Sequence, residues 1–319
     1  MTQTLVSPPT SRPVPRRPAA RPTLSATRRK HVAAYAFLLP FLLVFVTMLV
    51  VPLVYAGYLS LFTQQLVGGN AFVGLGNYAR ALTDPRFVEG VGRMALFLVI
   101  QVPVMLVLAL LFALALDSGR VRGGRFARVA IFVPYAVPGV VTTLMWGYLY
   151  GRNFGPIAQA FEALGLDAPD LLSSSTILGS IMNIVTWQYI GYNMVIMYSA
   201  LRAIPQELYE AARIDGAGQY RIAWSIKIPA IRSAILLTVI FSIIGSFQLF
   251  SEPKLLYEIA PNAIGRSFSP NLYAYNLAFV DQDVNYSAAI AFLLGVVIMI
   301  VSYVVQLSTT HRERKAAHR

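Results

Sequence analysis

Six long apolar stretches constrain the fold of this chain more than any other feature of its sequence. Each has at least 20 residues, enough for a helix to cross the hydrocarbon of a bilayer, and none has an ionisable side chain in its interior. The stretches cover residues 35–59, 94–116, 129–150, 177–200, 231–250 and 287–307. They predict an all-α integral membrane protein with six transmembrane helices.

The composition supports a membrane protein and excludes several kinds of chemistry. Hydrophobic residues make up 56% of the chain and charged residues only 13%, whereas soluble domains carry roughly a quarter charged residues. Cysteine is absent, which excludes disulfides and thiolate catalysis, and the three histidines lie near the chain ends at positions 31, 311 and 318. The sequence therefore predicts no catalytic residue, no metal site and no enzyme activity.

The distribution of basic residues predicts the orientation of the spans. Of the 26 lysines and arginines, 20 lie in the N-terminal segment, in the loops after the second and fourth spans, and in the C-terminal segment. Cytoplasmic loops carry such an excess of positive charge, so both termini and the loop after the fourth span are predicted to be cytoplasmic. The net charge of +12 then reflects membrane topology, and it does not indicate nucleic-acid binding.

The same pattern divides the chain into three segments. Residues 1–32, rich in Pro, Arg, Ser and Thr, are predicted to be a disordered basic cytoplasmic tail. Residues 33–309 are predicted to form the transmembrane domain, and residues 310–319 a short cytoplasmic tail. The apolar block after the first tail is longer than that of a cleavable signal peptide, so it is predicted to remain as an anchor.

The uncharged spans restrict the source of energy for any transport. Proton-coupled carriers place Asp, Glu or His within the bundle, and no predicted span has one in its interior. The sequence also lacks the GxxxxGK[ST] loop that binds nucleotide phosphates. A stand-alone carrier that binds sodium through backbone carbonyls stays an alternative, whereas a membrane enzyme would need a polar cluster at membrane depth. A transporter of this sequence is therefore expected to draw its energy from a partner protein.

The loop after the fourth span, residues 203–229, is predicted to form a helix, a turn and a second helix. Pro205 suits a first helical turn, and Glu207 and Glu210 suit the positive end of the helix dipole. Gly216 stands where the chain needs a left-handed turn. The second helix is predicted from residue 220 to residue 226, ending against Pro229. A plain solvated loop between two spans is the alternative.

These residues resemble the EAA signature of permease subunits in binding-protein-dependent ABC importers. The signature is Glu-Ala-Ala, three residues, Gly, nine residues, then Ile-x-Leu-Pro. The segment EAARIDGAGQYRIAWSIKIP departs from it only at Ile228, which replaces leucine and conserves its volume. The matching residues are Glu210, Ala211, Ala212, Gly216, Ile226 and Pro229. We call residues 203–229 the EAA loop.

Further segments are similar to carbohydrate-uptake permeases of the maltose-transporter type, and to the larger permease subunit in particular. Among them are FVGLGNYARAL, FVPYAVPGVV and NYSAAIAFLLGVV. The resemblance implies a type I ABC importer architecture, multi-pass in the lipid bilayer of the cytoplasmic (inner) membrane of a prokaryote. It implies as partners a second homologous permease, a cytoplasmic ATPase dimer, an extracytoplasmic solute-binding protein and a sugar substrate.

The resemblance also assigns a role to the EAA loop, which docks on the ATPase in that family. ATP and Mg are then used by the ATPase, and this chain itself is expected to bind no cofactor. The residues implied in the contact are Glu207, Glu210, Ala211, Ala212, Asp215, Gly216, Ile226 and Pro229.

Polar and aromatic residues of the third, fourth and fifth spans predict a path for a sugar, which needs hydrogen-bonding groups and an aromatic face. Gln188 and Tyr192 lie four residues apart, as do Ser242 and Ser246, so each pair shares a helix face. By the resemblance, these four positions line the sugar pathway. The predicted pathway residues are Tyr135, Gln188, Tyr189, Tyr192, Asn193, Ser242, Ser246 and Gln248. The alternative is an interfacial aromatic belt with serines that mediate helix packing.

The absence of Lys and Arg inside the spans favours a neutral sugar or oligosaccharide over a sugar phosphate. Another neutral polyol-like or glycerol-derived solute is the alternative within the same class of importers. The outer loop, residues 251–286, is acidic through Glu252, Glu258, Asp281 and Asp283, and it is predicted to contact the solute-binding protein.

Overall fold

The computed structural model describes residues 24–65 and 69–317, and it divides the chain into two units at Tyr55 and Ala56. In the first unit, α1 (Leu24–Phe45) continues through a π-helical turn (Val46–Val50) into α2 (Val51–Ser60), which runs on into the second unit. No side chain described between residues 28 and 55 is buried. An apolar helix exposed all round in the isolated chain is suited to lipid or to a partner subunit.

The second unit begins with a feature that the all-α prediction did not include. A short hairpin pairs β1 (Phe62–Gln65) antiparallel with β2 (Gly69–Phe72). Helices follow, with a π-helical segment (Ala223–Lys227) between α10 and α11. Their bounds are α3 (Gly76–Thr83), α4 (Pro85–Asp117), α5 (Gly124–Ala136), α6 (Gly139–Leu149), α7 (Pro156–Ala163), α8 (Ile177–Arg202), α9 (Gln206–Ile214), α10 (Gln219–Ile222), α11 (Ile228–Ala230), α12 (Arg232–Phe247), α13 (Ser251–Ile259), α14 (Pro270–Phe279) and α15 (Val284–Ala317).

Within the described residues, three helices are long and apolar enough to cross a membrane. They are Lys30–Ser60, Pro85–Asp117 and Val284–Leu307. Two bent pairs raise the number to five if each pair is one span, namely Gly124–Ala136 with Gly139–Leu149 and Gln219–Ala230 with Arg232–Phe247. The fourth predicted span corresponds to α8, which is a continuous helix of 26 residues but is not among these apolar helices. Six spans therefore remain a prediction.

The third predicted span, residues 129–150, is not a straight helix. α5 ends at Ala136, α6 begins at Gly139, and the two axes differ by 96°. The cause is Pro138, since the residue before a proline is pushed out of the helical region, and Val137 is extended with φ −76° and ψ 129°. Pro103 and Pro134 lie inside helices without such a break.

The predicted tails also differ from the observed element boundaries. α1 begins at Leu24, well before residue 32, and α15 continues to Ala317, past residue 309. No proline or glycine interrupts residues 24–32 or 296–317, so nothing in the local sequence stops either helix. The remainder of the predicted tails, residues 1–23 and 318–319, lies outside the described residues.

The core of the second unit is built around α4 and α8. Phe97 of α4 and Ile184 of α8 share one buried apolar cluster with Phe247 of α12 and Leu256 of α13. α8 also packs very closely on α5, because a Cβ added at Gly191 would fall on the carbonyl of Ile131. Small residues permit such close backbone approach between helices in membranes.

A hydrogen-bond network around one carboxylate joins the N-terminal end of α4 to two other helices. Asp84 is the N-cap residue of α4 and accepts a hydrogen bond from the Arg86 N–H at 3.0 Å. Its Oδ2 also accepts hydrogen bonds from the hydroxyls of Tyr273 on α14, at 2.7 Å, and Tyr286 on α15, at 2.8 Å. Burial raises the pKa of Asp84, but these three hydrogen bonds favour the charged form and hold its pKa below the ordinary value.

Candidate functional site

The EAA loop forms two helices joined by a tight turn at Gly216. Gly216 has φ +77°, the left-handed conformation that the sequence predicts. The Gly216 N–H donates to the carbonyl of Arg213 at 3.0 Å, and the Ala217 N–H donates to that of Ala212 at 2.9 Å. This pair of bonds is a Schellman motif, which closes the C-terminus of α9 and favours glycine at the left-handed position.

The second helix of the EAA loop differs from its predicted bounds. It begins at Gln219 and runs through the π-helical segment to Ala230, so it includes Pro229, whereas the predicted helix stopped before Pro229. Pro229 lies near the C-terminal end of this helix, directly after the π-helical segment. The break comes after Ala230, where the chain bends by 66° into α12.

The predicted coupling residues of this loop are mostly exposed. Those exposed are Glu207, Glu210, Ala211, Asp215, Gly216 and Pro229, while Ala212 and Ile226 are half-buried. Large apolar side chains, which the sequence argument missed, lie beside them: Ile214 is 87% exposed, Tyr220 82% and Trp224 65%. The Tyr220 and Trp224 rings are nearly parallel, with centroids 6.5 Å apart. Exposed apolar groups rimmed by charges are typical of a protein-binding surface.

A buried ion pair connects the EAA loop to the C-terminal end of α4. The Lys227 Nζ lies 2.5 Å from Oδ2 of Asp117, the last residue of α4, and the two side chains are 9% and 5% exposed. The Lys227 ammonium also lies 5.1 Å from the ring centroid of Tyr209 on α9. Asp117 and Lys227 are 110 residues apart, so nothing local in the sequence indicated their contact.

A cavity of about 410 Å³ lies between α4, α5, α8, α12 and the start of α13. Seven of the eight predicted pathway residues line it, with Gln101, Met105, Gly245 and Glu252 among their neighbours. The seven are Tyr135, Tyr189, Tyr192, Asn193, Ser242, Ser246 and Gln248. We call it the tyrosine-lined cavity.

The eighth predicted residue, Gln188, is not part of the cavity lining. Its side chain is buried, and its Nε2 donates to the carbonyl of Val137 at 3.3 Å. Gln188 therefore supports the bend between α5 and α6. Its Oε1 has no hydrogen-bond partner among the described residues.

Three tyrosines form an aromatic wall of the cavity. The rings of Tyr135 and Tyr192 are stacked, with centroids 4.8 Å apart and planes inclined by 21°. Tyr189 meets Tyr135 edge-on at 5.8 Å. Aromatic faces and hydroxyls together suit a ligand with an apolar face and a polar rim, as a sugar ring has.

The amide donors of Gln101 and Asn193 are used within the protein. Asn193 Nδ2 donates to the carbonyl of Tyr189 at 3.0 Å, and Gln101 Nε2 lies 3.3 Å from both the Thr186 hydroxyl and the Met105 sulfur. The Ser246 hydroxyl donates to the carbonyl of Ser242 at 2.7 Å. By contrast, Oδ1 of Asn193 is buried without a partner among the described residues.

Glu252, which the sequence argument placed in an outer loop, lies against the cavity instead. It is 8% exposed, and burial raises the pKa of its carboxyl group while its own backbone N–H lowers it. The three other acidic residues of that loop each lie near a basic group: Glu258 is 3.6 Å from Lys254, Asp281 3.9 Å from Arg266, and Asp283 3.5 Å from Arg80. No described basic side chain lies within 4.0 Å of Glu252. An acidic residue directly after an uncharged apolar stretch was the available signal.

Comparison with known proteins supports the resemblance to ABC importer permeases across most of the chain. Residues 73–317 match the family described as "Binding-protein-dependent transport system inner membrane component". The permease protein LacF of the lactose transport system of Rhizobium radiobacter is 28% identical over 91% of this chain and 98% of its own length. The diacetylchitobiose uptake permease NgcF of Streptomyces coelicolor is 30% identical over 74% of this chain and 70% of its own.

The fold is shared with solved structures of a bacterial ABC transporter that imports the acidic polysaccharide alginate. One such chain superposes with a TM-score of 0.79 at 17% identity, covering 90% of this chain and 98% of that one. The relatives are transporter permease components and not enzymes. The residues that match the family, the apolar helices and the fold all support one assignment. The chain belongs to the family of binding-protein-dependent transport system inner membrane components.

Proposed function

We propose that this chain is one permease subunit of an ATP-driven ABC importer that carries a neutral sugar or oligosaccharide across the cytoplasmic membrane of a prokaryote. The tyrosine-lined cavity carries this proposal. It joins an aromatic wall to hydroxyl and amide groups, and no lysine or arginine lines it among the described residues. Relatives named for lactose, arabinooligosaccharide and diacetylchitobiose transport support the sugar class.

The lining of this chain disfavours the kind of anionic substrate for which some relatives are named. One relative is named for sn-glycerol-3-phosphate transport, and the structural neighbours import alginate, an acidic polysaccharide. A phosphate or carboxylate buried without a basic partner would be strongly disfavoured. A second permease subunit facing the cavity could add its own groups, but the groups of this chain favour a ligand without negative charge.

The proposed topology has six spans with both termini in the cytoplasm. The charge distribution supports it, and α8 is long enough to serve as the fourth span despite its polar residues. The EAA loop then faces the cytoplasm, where its exposed patch around Ile214, Tyr220 and Trp224 docks on the ATPase together with Glu207 and Glu210. By resemblance, the chain takes the role of the larger permease subunit of a maltose-type transporter. The ATPase uses the ATP and Mg.

Reconstitution tests the proposal directly. The chain is assembled in liposomes with its partner permease, the ATPase and the solute-binding protein, and uptake of labelled lactose, arabinotriose, diacetylchitobiose and sn-glycerol-3-phosphate is measured with and without ATP. We expect ATP-dependent uptake of at least one neutral sugar that stops when the ATPase or the binding protein is omitted.

Two results would refute parts of the proposal. Uptake by the single chain without ATPase would identify a stand-alone carrier. Uptake of the glycerol phosphate alone would place the substrate in the glycerol-derived class. A Glu210→Arg variant is the control for coupling, since it should abolish ATP-dependent uptake while the chain still inserts into the membrane.

A further inference from the structure

Glu252 is the one acidic group of the tyrosine-lined cavity among the described residues, and it is left without a basic partner. Its side chain is more than nine-tenths buried at the cavity wall. The nearest lysine in sequence, Lys254, lies 3.6 Å from Glu258 and 5.5 Å from the ring centroid of Tyr275. Burying an ionisable group without a partner costs free energy, and such a group in a cleft is a candidate for a functional site.

The other polar groups of the cavity lining carry no formal charge, and several of their donors are used inside the protein. The amide donors of Gln101 and Asn193 are used inside the protein, and so is the hydroxyl hydrogen of Ser246. Oδ1 of Asn193 is a buried acceptor without a partner among the described residues, and the carboxylate of Glu252 has no basic partner among them. A ligand that reaches these two groups must therefore bring hydrogen-bond donors.

We propose that Glu252 sets the charge selectivity of the cavity, accepting hydrogen bonds from hydroxyl or ammonium groups of a saccharide held against the tyrosine wall and excluding anionic saccharides. The cavity thus takes neutral or cationic sugars, amino sugars included. Naming the ligand a saccharide rests on the proposed function, whereas the charge selectivity rests on the cavity alone.

Helix capping does not explain the position of this side chain. Glu252 lies in the first turn of α13, where the helix dipole favours a negative charge. An exposed glutamate at the same position would gain that stabilisation without the cost of burial. The burial of this carboxyl group at the cavity wall is the feature that helix capping leaves unexplained.

The cysteine-free sequence allows a direct test of the electrostatic potential in the cavity. Gly245 lines the cavity, and a Cβ added there meets no atom within 4 Å, so Gly245→Cys introduces a single thiol without a clash. The variant is assembled in nanodiscs with cysteine-free partner subunits. The thiol is then modified at pH 8 with a cationic trimethylammonium-ethyl thiosulfonate or with an anionic sulfonatoethyl thiosulfonate. The measured quantity is the rate with the cationic reagent divided by the rate with the anionic one.

We expect the cationic reagent to react about tenfold faster than the anionic one, after normalisation to a free thiol in solution, because a buried charge concentrates counter-ions. Glu252→Gln in the Gly245→Cys background should bring the ratio close to one, and Glu252→Asp should keep it high. Glu258→Gln is the matched control, since it removes one negative charge from the same helix at an exposed position. It should leave the ratio unchanged.

A ratio near one in the Gly245→Cys variant that keeps Glu252 would overturn the proposal, and this measurement does not depend on whether the glutamine variant folds. An unchanged ratio in Glu252→Gln would overturn it as well. Because the readout needs no transport, a selective cavity in a chain that fails to import sugar would contradict the proposed function and leave the charge selectivity standing.

Discussion

Each end of α4 carries an aspartate that neighbouring elements hold in place. Neutral hydrogen-bond donors hold the first aspartate, whereas a charged lysine holds the second. Asp84 precedes the helix and accepts three hydrogen bonds from neutral donors, while Asp117 ends it and pairs with one buried lysine. The helix dipole favours a carboxylate at the first end and disfavours it at the second. Asp117 is therefore more dependent on its single partner, Lys227, than Asp84 is on any one of its donors.

The difference indicates how each end of the helix is secured. At the Asp84 end, the network joins α4 to α14 and α15, and the loss of one donor leaves two others. At the Asp117 end, one ion pair joins α4 to the EAA loop, and removal of the lysine leaves a buried charge. Removing one member of a buried ion pair costs more stability than removing both members.

The largest expected effect is that of Lys227→Met. The change keeps the volume of the side chain but leaves Asp117 buried and unpaired at the C-terminus of α4, at a cost of about 3–5 kcal/mol. Thermal unfolding in detergent measures the loss. The double variant Asp117→Asn with Lys227→Met is the control, and it should recover much of the stability. If the single variant is as stable as the double variant, the two ends of α4 do not differ as described.

Asp84→Asn should have a smaller effect. The neutral amide keeps part of the hydrogen bonding but loses the charge-assisted bonds from Tyr273 and Tyr286, at about 1.5–3 kcal/mol. The same unfolding assay applies, with Tyr286→Phe as the control that removes a single donor and should cost less. A Tyr286→Phe variant less stable than Asp84→Asn would show that the network depends on that tyrosine and not on the carboxylate.

Gly216→Val should cost about 1–2 kcal/mol in local stability, because a residue with a Cβ is strained in a left-handed turn. Insertion should be normal and ATP-coupled uptake should be lost. Gly218→Val is the matched control: both glycines have open space around them, but Gly218 has φ −69°. Equal uptake by the two valine variants would mean that the turn conformation at Gly216 does not matter for coupling.

The smallest effect concerns pH. Because the folded-state pKa of Asp84 is lower than its unfolded value, its contribution to stability is present above the ordinary pKa of 3.8 and is lost as pH falls through the folded value. The difference in melting temperature between the unaltered chain and Asp84→Asn should therefore narrow between pH 6 and pH 3. A constant difference across that range would show that the hydrogen bonds do not favour the charged carboxylate.

Local patterns in the sequence predicted local structure well. The turn at Gly216 follows from one residue type at a helix end, and its φ value agrees with the prediction. Seven of the eight predicted pathway residues line one cavity, and two pairs of them, Tyr189 with Asn193 and Ser242 with Ser246, have the four-residue spacing of one helix face. Gln188 lies four residues before Tyr192 but turns toward the carbonyl of Val137, which no spacing rule predicts.

Long-range contacts account for what the sequence did not reveal. The pair of Asp117 and Lys227 joins positions 110 residues apart, and the cluster around Asp84 brings in tyrosines 189 and 202 residues away. Pro138 was visible in the sequence, but its position alone does not give the 96° angle between α5 and α6. Glu252 was assigned to an outer loop, whereas the fold buries it at the wall of the cavity.

The contact between Gly191 and the backbone of α5 limits which sequences this fold can adopt. Since even one methyl group at position 191 would overlap the carbonyl of Ile131, no substitution there is compatible with the present spacing of the two helices. A variant library of the whole protein should accordingly recover glycine alone at this site, while Gly245, with free space beside it, accepts small side chains.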